Sequence, residues 1–228
     1  MILKSFGCSF IFGTDLSDDG RNGRYATGSK LTWPAHLATH LNYDYQTYAR
    51  PGAGNLQIAE RVLSELACDC EKNLYVINWS YIDRFDYVDP NNSRWPGTYW
   101  GTILPVDSTE IANIYYKNLH SEYRDKLTTL LNIRVVIDSL KQKNYPFIMT
   151  YMDELMLDQQ GHTTPAVIDL QEYIRPHLTT FDGTNFLEWS RQHGFAISQQ
   201  GNHPLEKAHL AAGDYIFKVF DKQNTVDR

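Results

Sequence analysis

Acyl-transfer chemistry needs a nucleophile, a base to deprotonate it and donors for the oxyanion. This chain offers candidates for all three. Ser9 follows the short apolar run "ILKSF" through Gly7-Cys8. A hydroxyl at the end of a first strand is either a turn residue or a nucleophile held at the rim of a sheet. Imidazole is the usual base, because it titrates near neutrality. Of the eight histidines, His36 and His40 fall on one helix and His120 in a longer one, while His162, His177 and His193 fall in loops or at helix ends. His203 precedes Pro204, which makes its backbone extended and projects its side chain at a loop–helix junction. A histidine there is either a cap or surface residue, or a base. The turn "ARPGAGN" places Gly52, Gly54 and Asn55 between a strand and a helix, where glycines let backbone N–H groups approach a ligand closely.

Those residues must be positioned by a scaffold, and its pattern is strand alternating with helix. "ILKSF", "YDYQTYA", "LYVINWS" and "PFIMTYMD" read as strands, the third a continuous apolar run of the kind buried on both faces of a parallel sheet. "LTWPAHLATHLN" and "NLQIAERVLSELA" carry apolar residues at helical spacing. A long helical stretch over 108–143, broken at most once, precedes two short helices at "PAVIDLQEYI" and "NFLEWSRQHG". A terminal helix has Pro204 at its first position. This alternation predicts an α/β fold with a central parallel sheet covered on both faces. Sites in such sheets lie beyond the carboxyl ends of the strands. That picks out Ser9, the Gly52–Asn55 turn, Asn78 to Asp83, and Asp153.

The 228 residues suit one domain over 1–228, with an aromatic-rich insertion at about 81–106 that reads as a long loop. Its Trp95, Tyr99 and Trp100 suit contact with a sugar or another flat ligand, or else pack the loop onto the core. Arg84 either binds an anionic group of a substrate or pairs with Asp83 or Asp86. A net charge of -6 argues against general nucleic-acid affinity. Cys68 and Cys70 form a C-x-C without a second pair, so no metal site is expected and both thiols are expected to be buried near a helix end. No signal peptide or membrane span is read, and a soluble, cytoplasmic location is expected. No G-x-S-x-G elbow, Walker or Rossmann fingerprint occurs.

Four stretches taken in order, "FGCSFIFG", "ARPGAGN", "VINWSYIDR" and "GNHPLEKAHLAAGDYI", resemble the SGNH (GDSL-like) hydrolase superfamily. The resemblance implies a flavodoxin-like three-layer α/β/α fold and a cofactor-free, metal-free serine esterase. It matches Ser9 to the nucleophile and His203 to the base, with His209 in an "HP…GH"-like segment. Oxyanion donors are the N–H groups of Ser9 and of Gly54, with Gly52 as the second choice. Three departures stand out. Cys8 replaces the usual aspartate beside the nucleophile. Ser80 stands where the third block has an asparagine, with Asn55 as an alternative donor. Gln200 stands where the triad aspartate belongs, three residues before the base, and would orient the ring only as an amide. The expected function is removal of a short acyl group, such as O-acetyl, from a carbohydrate or similar small-molecule ester. It would work through a dyad or degenerate triad. The alternative is a weakened or inactive SGNH-fold protein that binds glycans or serves structurally.

Overall fold

Residues 1–20, 27–88 and 100–226 are described by the structure, a computed structural model. Strand β1 (Ile2–Phe6) runs into a single helical turn, α1 (Ser9–Phe12). Helix α2 (Trp33–Leu41) leads to β2 (Asp44–Thr47), and α3 (Asn55–Cys68) leads to β3 (Leu74–Trp79). Next come β4 (Phe85–Val88), β5 (Trp100–Ile103), α4 (Glu110–Asn118), α5 (Glu122–Gln142) and β6 (Phe147–Tyr151). Helices α6 (Pro165–Ile174), α7 (Phe186–Gln192) and α8 (Glu206–Val226) complete the order.

The main sheet is parallel throughout, in the order β2-β1-β3-β6. Leu178 adds a parallel bridge to Met149 at its β6 edge. Every residue of β3 is buried, as expected of a central strand covered on both faces, with the polar Asn78 satisfied by Thr150. Helices α2 and α8 pack on each other, α3 packs on α5, and α5 packs on α6. Right-handed crossovers put α2 on one face of the sheet and α3 and α5 on the other, because the chain reverses direction across the sheet after β2. The result is the three-layer α/β/α fold that the sequence pattern implied. The switch in strand order falls between β1 and β3, with Ser9 at the carboxyl end of β1.

Three readings need correction. The stretch 81–106 was expected to be loop, but β4 and β5 pair as an antiparallel ribbon from Phe85↔Ile103 to Val88↔Trp100. Their residues are mostly half-exposed and only four per strand, too short for an alternating pattern to show. Cys68 and Cys70 are exposed, because α3 ends at Cys68 on its solvent side. Pro204 does not open α8; it bridges Ile197 two residues before that helix begins. The long helical stretch is broken once, at 119–121, where Ser121 caps α5 by accepting from the Arg124 N–H.

Candidate active site

Ser9 is the first residue of α1, directly after the Gly7-Cys8 turn that ends β1. Its N–H lies in the first turn of a helix, where N–H groups have no partner within the helix. His203 is carried by a narrow loop between α7 and α8. Leu205 N–H donates to the Ala196 carbonyl at 3.0 Å, and Ser198 N–H donates to the His203 carbonyl at 2.8 Å. This loop closes the 194 residues between nucleophile and base: His203 Nε2 lies 2.8 Å from Ser9 Oγ. Both residues are 8% exposed. The Phe10 and His203 rings meet in an edge-to-face arrangement at 5.0 Å between centroids.

The other ring nitrogen faces a carboxylate. His203 Nδ1 lies 2.8 Å from Asp15 Oδ2, both side chains being only 11% exposed. Asp15 adopts a left-handed conformation at φ 73, which aspartate tolerates better than most residues. Its N–H donates to Asp19 Oδ2 at 3.1 Å. Further on, Ser17 N–H donates to Glu206 Oε1 at 2.9 Å, tying this loop to the start of α8. With a carboxylate at Nδ1, that nitrogen holds the proton and Nε2 is left to accept from Ser9. Gly201 explains how the junction closes so tightly. A Cβ there would lie 2.3 Å from His203 Nδ1 and 2.4 Å from Asp15 Oδ2, so only glycine fits.

Gln200, the expected orienter, is exposed, and Asp15 occupies the place facing Nδ1. Sequence reasoning missed Asp15 because it lies in "GTDLSDDG", a run that reads as a solvated polar loop. The available signal was its position: it follows the helical turn that carries Ser9, at the carboxyl end of the central strand.

The expected oxyanion groups are placed differently. Gly54 N–H donates to Asp86 Oδ1 at 3.0 Å and Gln57 N–H to Asp86 Oδ2 at 2.8 Å, so a β4 carboxylate caps the start of α3. Thr102 Oγ1 donates to the same carboxylate at 2.6 Å. Burial pushes the Asp86 carboxyl above its usual range, and these donors oppose the shift. A Cβ on Gly54 would meet Asp86 Oδ2 at 2.6 Å, so close approach to Asp86 dictates that glycine. The Gly54 N–H is therefore spent inside the protein. Asn55 is spent as well: Nδ2 donates to the Ser80 carbonyl at 3.1 Å and to Thr129 Oγ1 at 3.2 Å, and Oδ1 accepts from Ser80 N–H at 2.7 Å. Ser80 is fully buried, and its hydroxyl has no hydrogen-bond partner among the described residues. Gly52, by contrast, has open space where a side chain would stand.

Asn78 points into the core, its Nδ2 donating to Thr150 Oγ1 at 2.8 Å. Asp153 accepts from the Ile82 N–H at 2.9 Å and the Leu155 N–H at 3.0 Å. Arg84 donates to the Ala53 carbonyl at 3.0 Å and lies over the Tyr81 ring. It lines a cavity of about 140 Å³ with Asn55, Asp86, Asp125 and Asn132, and that lining includes neither Ser9 nor His203. Trp100 pairs with Val88 at one end of the ribbon. Trp95 and Tyr99 lie outside the described residues. Among the described residues, no helix is long and apolar enough to cross a membrane.

Several solved structures share this arrangement of elements. The psychrotrophic esterase EstA from Pseudoalteromonas sp. superposes with a TM-score of 0.54 over 98% of both chains, at 11% identity. TesA does so with a TM-score of 0.53 over 96% of this chain and 97% of its own, at 13% identity. The acetyl xylan esterase Est2A from Butyrivibrio proteoclasticus matches with a TM-score of 0.52 over 98% of this chain and 64% of its own, at 12% identity. No family model matches the chain, and no curated protein sequence does. The chain thus shares the three-layer α/β/α fold of these structures, the fold that its four sequence blocks implied.

Proposed function

We propose that this protein is a serine hydrolase that cleaves carboxylic esters, with Ser9 as nucleophile, His203 as general base and Asp15 as the acid that supports the base. One observation carries the proposal: the continuous relay from Ser9 Oγ to His203 Nε2, and from His203 Nδ1 to Asp15 Oδ2, each step 2.8 Å long. Ser9 Oγ attacks the acyl carbonyl while Nε2 takes its proton, and the resulting imidazolium is stabilised by the Asp15 carboxylate. The imidazolium then protonates the departing alcohol oxygen, leaving an acyl-enzyme. Water, deprotonated by the same Nε2, releases the acid and restores Ser9. The oxyanion is met by the Ser9 N–H; the Gly54 N–H is already committed to Asp86, which leaves Gly52 as the glycine of that turn available for a second donor.

The carboxylate at Nδ1 favours catalysis over a purely binding role. A carboxylate at Nδ1 fixes the tautomer that leaves Nε2 to accept a proton from Ser9, which is what a general base requires. For the substrate we infer a short acyl ester on a carbohydrate. The resemblance described above supports this, as does the fold shared with an acetyl xylan esterase.

Hydrolysis of p-nitrophenyl acetate and butyrate, followed beside an acetylated xylan, tests the proposal. Ser9→Ala and His203→Ala should each lose turnover by at least about a thousandfold, and Asp15→Asn by about a hundred- to ten-thousandfold. Full activity in Ser9→Ala would remove the mechanism. Full activity in Asp15→Asn would reduce the relay to a dyad.

A further inference from the structure

Ser198 stands where the base, the acid and the loop that joins them meet. Its hydroxyl donates to Asp15 Oδ2 at 2.6 Å, the same oxygen that faces His203 Nδ1. The same Oγ accepts from the His203 N–H at 3.1 Å and from the Gly201 N–H at 3.3 Å. A serine hydroxyl has one proton to give and two lone pairs to fill, so all its capacity is directed into this junction. Closing the loop would need only the two backbone donors. The proton given to Asp15 serves something else.

Asp15 comes from the opposite end of the chain, 188 residues from His203, and is itself in left-handed conformation. The terminal torsion of an aspartate is broad and nearly two-fold, so the backbone alone does not fix which oxygen faces the ring. We propose that Ser198 is a positioning residue that locks the Asp15 carboxylate onto the loop bearing His203, so that acid and base move as one body. This rests on the reading of Ser9, His203 and Asp15 as a triad. Ser198 touches none of the reacting atoms and acts through Asp15.

The test compares the full-length protein with Ser198→Ala and Ser198→Thr by two readouts. One is kcat and KM on p-nitrophenyl acetate. The other is the proton NMR resonance of the His203 Nδ1–H in the imidazolium form, which lies far downfield when a carboxylate holds it. In Ser198→Ala, kcat should fall on the order of ten- to a hundredfold with KM within about twofold. The Nδ1–H resonance should move upfield and exchange faster with water. Ser198→Thr, which keeps the hydroxyl, should retain the downfield resonance. An unmoved resonance in folded Ser198→Ala, or no downfield resonance in the wild-type protein, overturns the positioning role. Should Ser198→Ala not fold, Ser198→Cys carries the same expectation, since a thiol is a weak donor. Absence of turnover in the wild-type protein would strike the reading of the reaction instead, and the NMR comparison would still decide the role of Ser198.

Discussion

The two sides of the candidate site use their polar groups in opposite ways. On the side of the proposed relay, Ser9, His203, Asp15 and Ser198 point at one another, and the connecting loop closes on itself through short backbone hydrogen bonds. On the side of the Gly52–Asn55 turn, the groups that looked fit to greet an oxyanion are consumed internally. Gly54 and Gln57 donate to Asp86, and Asn55 clamps the Ser80 backbone to Thr129. The first is a preorganised relay; the second is a joint that fastens α3 to β3, the ribbon and α5. A residue type at a familiar spacing therefore does not fix its use. The neighbour that satisfies it decides, and here Asp86 arrived first.

That contrast can be broken most sharply at Gly201. Its substitution by alanine places a Cβ within 2.4 Å of both Asp15 Oδ2 and His203 Nδ1, so the pair must separate. We expect Gly201→Ala to lower kcat on the order of a hundredfold, the cost of a displacement near one ångström in a reacting geometry. Its thermal midpoint should change little, since the loop is at the surface. Undiminished turnover would mean that the tight His203–Asp15 contact is not the working geometry.

The other side should respond in the opposite sense. Asp86→Ala strands the N–H groups of Gly54 and Gln57 and the Thr102 hydroxyl in a buried place, which costs roughly 2–4 kcal/mol of stability. Urea unfolding measures this directly. The folded fraction should keep its kcat within about threefold, because Asp86 works on the scaffold. A rise in kcat would break the comparison instead: the freed Gly54 N–H would then be serving the oxyanion, and Asp86 would be holding a catalytic donor in reserve.

Much of the scaffold was legible in the residues. The largely apolar run Leu74–Trp79 reads as a strand buried on both faces of a parallel sheet, and the amphipathic stripe of α3 marked its packing face. The place of Ser9 at the end of β1 was legible from the alternation of strand and helix, and the pairing of Ser9 with His203 only from the resemblance of the blocks that carry them. The partner of His203 Nδ1 was not. Asp15 is defined by a contact across 188 residues, and local sequence there shows only a polar turn. The position three before His203 drew attention to Gln200, while the informative residue was its neighbour Gly201, whose missing side chain admits Asp15. The ribbon of β4 and β5 was illegible for a different reason. Two half-exposed strands of four residues bury too little to impose a pattern.

A second histidine near the site sharpens the contrast through pH. His209 is fully buried in α8, against the Phe186 ring, and its Nδ1 accepts from the Trp33 N–H at 3.0 Å. Burial first, then the neighbouring His36 and His203, lower its pKa from 6.5 to about 3. Between those values the unfolded chain takes a proton that the folded one refuses. The contribution is therefore fully present above pH 6.5 and is lost as pH falls towards 3. Unfolding free energies measured from pH 7 down to 4 should drop by a few kcal/mol more in the wild-type protein than in His209→Gln. Parallel curves would show that His209 takes its proton without unfolding the chain.

The smallest effect is expected where the family pattern would predict the largest. Gln200→Asp restores an acid at the usual offset from the base, and in a degenerate triad it should raise kcat by orders of magnitude. Here the side chain at 200 is exposed, and the space beside His203 Nδ1 is filled by Asp15 up to the Cα of Gly201. A carboxylate at 200 stays in solvent, where its charge is screened. Turnover should change by less than about twofold, in Gln200→Asp alone and when it is added to Asp15→Asn. A large rescue of Asp15→Asn by Gln200→Asp would show that the loop can rearrange to present position 200 to the ring. The acid would then be interchangeable between two places in the chain, and the relay less rigid than its short hydrogen bonds imply.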